Sequence, residues 1–81
     1  MGKAAVIEEY LNERFGPGAV GAVRLASGRQ GTNTLVIEGP CPELEGAWES
    51  FDEFCGFWDG APPSVLEAVE NVSAVKFREV F

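Results

Sequence analysis

Apolar and polar positions alternate along this chain in two different rhythms, and the switches between them define its elements. From about Lys3 to Phe15, Val6, Ile7, Tyr10, Leu11 and Phe15 recur at helical spacing, with Glu8, Glu9 and Glu13 off the stripe. Gly16-Pro17-Gly18 ends this helix, because glycine suits the left-handed position after a last turn and proline cannot continue it. Ala19 to Ser27 then reads as a strand with Val23 and Leu25 on one face. Thr32 to Glu38 reads as a second, in which Leu35 and Ile37 alternate with Thr34 and Val36. The loop Gly28-Arg29-Gln30-Gly31 between them predicts a hairpin.

After the breaker Gly39-Pro40-Cys41-Pro42 the helical rhythm returns. Between Glu43 and about Asp59, Leu44, Ala47, Trp48, Phe51, Phe54, Cys55 and Trp58 fall within one arc at ~100° per residue. Glu45, Glu49, Asp52, Glu53 and Asp59 fall opposite. Ser50-Phe51-Asp52-Glu53 also matches a capping box, which leaves a start at Ser50 as an alternative. Gly60-Ala61-Pro62-Pro63 interrupts the chain again. A second box, Ser64-Val65-Leu66-Glu67, opens a short helix to about Asn71, and Ala74 to Val80 reads as a last strand.

The order is α-β-β-α-α-β, one α+β domain over residues 1–81. It predicts a three-stranded, mainly antiparallel sheet with the helices on one face. Val23, Leu25, Leu35, Ile37, Val75 and Phe77 are expected to face the helices, and Arg24, Lys76 and Arg78 to point away from them.

Charge changes this picture most. The 81 residues carry a net charge of −7. Between Gln30 and Val75 there is no lysine or arginine, and that stretch holds nine acids; the rest of the chain holds four acids and six bases. A field of this sign repels nucleic acid and anionic membrane and attracts basic protein surfaces. Read on one continuous helix, Glu45, Glu49 and Glu53 are like-charge neighbours one turn apart, each pair costing roughly 0.2–0.5 kcal/mol. The candidate partner-binding residues are therefore Glu45, Glu49, Asp52, Glu53 and Asp59. Phe57 joins them because its phase lies outside the apolar arc, either as an exposed aromatic within an acidic rim or, equally, as a ring packed under the Gly60–Pro63 turn. A solvated acidic face also serves solubility alone.

Candidate chemistry is sparse. There is no histidine, which removes Ser-His and Cys-His catalysis, and Cys41 and Cys55 by themselves do not make a standard zinc site. Both read as reduced thiols in a chain with no export signal, and a cytoplasmic monomer without metal or cofactor is the expectation. Gly28-Arg29-Gln30-Gly31 lacks the Lys-Ser/Thr ending of a phosphate loop and is read as a hairpin tip. No enzyme active site is expected.

Compact size, acidity, the absence of histidine and the carboxylates Glu45, Glu49, Asp52, Glu53 and Asp59 together resemble small phage-encoded inhibitors, the class that includes anti-CRISPR proteins. The resemblance implies a protein that covers a nucleic-acid-binding surface with negative charge. Trp48, Glu49 and Asp52 are also similar in flavour to the acidic helix of barstar-type immunity proteins, which implies an inhibitor of a nuclease. A third expectation is an accessory subunit that uses the open sheet face with Arg24, Lys76 and Arg78. In the first two readings the partner is the basic surface of a protein or nucleoprotein complex, with no direct contact to nucleic acid or membrane.

Overall fold

The computed structural model describes residues 2–79, with a radius of gyration of 11.6 Å. The first helix is α1 (Lys3–Phe15), followed by strands β1 (Ala22–Ser27) and β2 (Asn33–Glu38). Three short helices come next: α2 (Pro42–Ala47), α3 (Phe51–Phe57) and α4 (Pro63–Val69). Strand β3 (Val72–Arg78) closes the series. Val80, assigned above to the last strand, lies outside the described residues.

The sheet is three-stranded in the order β1-β2-β3. β1 and β2 form the expected antiparallel hairpin, pairing Val23 with Ile37 and Leu25 with Leu35. β3 instead runs parallel to β2, pairing Leu35 with Val75 and Ile37 with Phe77, so the sheet is mixed rather than mainly antiparallel. The cause is the connection. Parallel neighbours need a long crossover, usually helical, and α2, α3 and α4 supply it.

One face of the sheet meets the helices. Val23, Leu35 and Ile37 are buried there with Ile7 and Leu11 of α1, Leu44 of α2, Phe54 of α3, and Val65 and Ala68 of α4; Leu25, Val75 and Phe77 pack against them. The expected facing of all six strand residues is therefore observed. α1 is pinned to the chain that follows it: the Asn12 side-chain carbonyl accepts from the Val20 backbone N–H at 3.2 Å. Its end is set by Gly16 at φ 110°, a conformation that side-chain-bearing residues rarely adopt. At the hairpin tip Gln30 takes φ 52°, the single non-glycine residue at positive φ among those described.

The predicted helix from Glu43 to Asp59 is two helices. α2 stops at Ala47, and α3 begins afresh at Phe51 with Ser50 as its N-cap. The Ser50 hydroxyl accepts from the Glu53 N–H at 3.2 Å, while the Glu53 carboxylate accepts from the Glu49 N–H at 3.1 Å. This is a capping box displaced by one residue on its return bond, and it satisfies two backbone donors where the chain bends.

The other predicted box does not form. α4 starts at Pro63 with Pro62 as N-cap and no side-chain cap bond. A proline at the first helical position has no N–H to satisfy and its φ is already helical, so the helix begins two residues early. Ser64 is then inside it, where its hydroxyl cannot act as the cap.

Candidate functional site

The acidic residues singled out from the sequence sit on α2, on the bend after it, and on and beyond α3. Glu45 is half-buried on α2, whereas Glu49, Asp52, Glu53 and Asp59 are exposed. They do not form one straight column, because the bend at Trp48–Ser50 separates Glu45 from Asp52 and Glu53. The cost assigned to like charges one turn apart on a continuous helix therefore does not apply to Glu45–Glu49 or Glu49–Glu53.

Breaking one helix into two also creates a second N-terminus. Glu43 and Glu45 lie in the first turn of α2, and Asp52 and Glu53 in the first turn of α3. Negative side chains there face the positive end of the helix dipole, a favourable placement typically worth about 0.3–1 kcal/mol each. Glu53 goes further and spends its carboxylate on the Glu49 N–H. Part of the acidity thus has a local structural cause, and a lysine at any of these four positions would oppose the dipole. Glu49 and Asp59 lie outside both helices and have no such role.

Among the described residues none of the five carboxylates is matched by a cation. The one ion pair among the described residues is Arg24–Glu38, at 2.9 Å between Nε and Oε1. It joins β1 to β2 on the open face, away from α2 and α3. On that open face Arg24, Lys76 and Arg78 are all exposed as expected, and Val36 is buried between Arg24 and Lys76, its neighbours in register. The stems of long cationic side chains cover apolar surface in this way while the heads stay in water.

Phe57 is not the exposed aromatic expected. Its ring stacks on Phe15 with centroids 5.7 Å apart and planes 7° from parallel, and meets Tyr10 and Trp48 edge-on. The Arg14 guanidinium lies over the ring, 5.4 Å from its centroid. Phe51, assigned to the core by phase, is instead 43% exposed. Cys55, placed in the same arc, is exposed as well. The bend explains all three. It resets the angular phase, so a count begun at Leu44 misplaces residues after Ser50, and α3 turns Phe54 and Trp58 inward with Phe57 packed against the end of α1.

The bend also shapes the surface. Trp48 is 5% exposed and packs against Phe54, Trp58 and Phe77. The indole N–H groups of Trp48 and Trp58 are buried without a hydrogen-bond partner among the described residues. Beside Trp48 a groove of about 220 Å³ is lined by Trp48, Glu49, Ser50, Phe51, Val75 and Phe77, where the α2–α3 bend meets the β3 edge. Sequence reasoning missed it, although Phe51 and Phe77 were both visible as apolar positions. Their juxtaposition depends on a bend and on the parallel placement of β3.

Among the described residues no three cysteine or acidic side chains converge as a metal ion requires, and no helix is long and apolar enough to cross a membrane. Cys41 is half-buried at the N-cap of α2, and it and Cys55 are both free thiols. Compared with known proteins, the chain matches no family model, no curated protein and no solved structure.

Proposed function

We propose that this protein is a binding inhibitor that sets the carboxylates of the α2–α3 corner against a basic surface on a nucleic-acid-handling partner, the target being a CRISPR effector complex. The observation that carries this reading is the absence of a counter-charge among the described residues. Glu45, Glu49, Asp52, Glu53 and Asp59 have no cationic partner there, while the one ion pair lies on the opposite face. Unmatched charges of one sign steer association with an oppositely charged surface and make it sensitive to salt. The class-level resemblance supplies the identity of the target.

The test uses purified effector complexes loaded with guide RNA and a labelled DNA target. The wild-type chain is expected to lower DNA binding by the effector, and to do so less well as salt rises. Glu49→Lys with Asp52→Lys reverses two exposed charges. Ser50 and Glu53, which form the cap, are left in place. This double variant should associate at least about tenfold more slowly, which corresponds to about 1.4 kcal/mol in the barrier. Full inhibition by the double variant would remove the reading.

A further inference from the structure

β3 is an edge strand, and among the described residues no strand lies beyond it. The Arg78 carbonyl accepts from the Gly39 N–H at 2.8 Å, so residue 78 turns its backbone groups toward β2. In a parallel ladder alternate residues turn to opposite sides. Ala74 and Lys76 therefore face β2 as well, and Val75 and Phe77 direct their N–H and C=O groups outward to the free edge.

The side chains of those same two residues line the groove beside Trp48 and the exposed Phe51. Free backbone groups and an apolar trough thus occur together. This is what an added strand uses, main-chain hydrogen bonds giving affinity and alternate side-chain pockets giving selectivity.

The charges on the two sides of this edge differ in sign. The helix side offers Glu49 within the groove. The open side offers Lys76 and Arg78, both exposed. An incoming strand alternates its side chains between these two sides. It is complemented when one set is apolar and basic and the other acidic.

A second copy of this chain meets that requirement poorly. Antiparallel pairing of two β3 strands centred on Val75 sets Lys76 diagonal to its own copy. It also brings together two chains that each carry a charge of −7. We infer that the β3 edge is a docking site for an extended segment of a partner protein, with apolar and Lys/Arg side chains toward the α2–α3 bend and acidic side chains toward the open face.

This inference rests on the chain being a protein-binding module but not on the identity of its target. The peptide titration and the effector assay can therefore fail separately. The probe is a fluorescein-labelled peptide Thr-Ile-Glu-Lys-Glu-Lys-Thr, with Thr-Ile-Lys-Glu-Lys-Glu-Thr as the control of equal composition. Anisotropy against the full chain should show the first peptide binding at least about tenfold more tightly than the second. Val75→Pro removes one outward N–H and leaves the β2 ladder intact, a placement that edge strands tolerate. It should abolish binding, whereas Val75→Thr, which keeps the N–H and loses similar packing, should retain most of it. Should Val75→Pro unfold by circular dichroism, Phe51→Ser serves instead. It changes an exposed ring without touching the backbone and should weaken the first peptide about fivefold or more. Equal affinity for the two peptides, no binding of either, or unchanged binding by a folded Val75→Pro or by Phe51→Ser would each overturn the inference. So would a wild-type dimer in sedimentation that Val75→Pro dissociates, since the occupant would then be a second copy.

Discussion

The two sides of this molecule treat their charges in opposite ways. On the open face of the sheet Arg24 is tied to Glu38 across β1 and β2, and Val36 is buried between Arg24 and Lys76, its neighbours in register. Arg24 there belongs to the structure, whereas Lys76 and Arg78 are exposed and make no ion pair among the described residues. At the α2–α3 corner the carboxylates of Glu45, Glu49, Asp52 and Asp59 have no cationic partner among the described residues, and Glu53 is engaged by a backbone N–H. The comparison teaches that net charge is a poor guide to which charges are available. Available ones are those left over after caps, dipoles and internal pairs have been accounted for, and here Glu49 and Asp59 come out as the least committed.

The sharpest way to break the comparison is in the sheet itself. Ile37 and Val36 are adjacent on β2 and nearly equally buried, at 0% and 7% exposure, but on opposite faces. Ile37→Ala empties space within the packed core and should cost about 2–5 kcal/mol in urea denaturation. Val36→Ala removes a smaller side chain on the face that the helices do not cover, so the loss should be about 1–2 kcal/mol at ~0.8 kcal/mol per methylene. Equal losses would mean that the open face is covered as firmly as the helix face.

At the bend, Ser50→Ala removes the cap of α3 and should cost about 1 kcal/mol. Glu53→Gln should lower thermal stability and leave affinity for the effector nearly unchanged, because that carboxylate already serves the backbone. Glu49→Gln should do the reverse. An exchange of those two outcomes would show that the cap, and not the free carboxylate, is the recognised feature. The smallest effect is expected on the open face. Arg24 is 57% exposed, so Arg24→Ala should cost no more than about 1 kcal/mol from the ion pair, and less as salt rises. It should leave inhibition of the effector untouched. Lost inhibition would transfer the binding role to the sheet face.

Much of the fold was legible in the chain. The α1 stripe, the β1–β2 hairpin and the inward set Val23, Leu25, Leu35, Ile37, Val75 and Phe77 follow from periods of 3.6 and 2, which are local and survive packing. The candidate site was legible only as composition. Its acids were correctly found to be exposed, apart from the half-buried Glu45, but Phe51 and Phe57 were assigned to each other's environments. A single phase was carried through a bend that Ser50 and Glu53 had announced.

By itself, then, the sequence determined the elements, their inward faces and the one-sided run of acids, because side-chain periodicity and charge are written residue by residue. Tertiary structure alone decided that β3 lies parallel to β2. It also decided that α2 and α3 meet at an angle, and that Phe51, Glu49, Val75 and Phe77 share one groove. Those outcomes depend on how a long helical crossover returns to the sheet once the local Ser50–Glu53 cap has ended the continuous helix. That return is set by packing between segments distant in the chain, and no local window contains it.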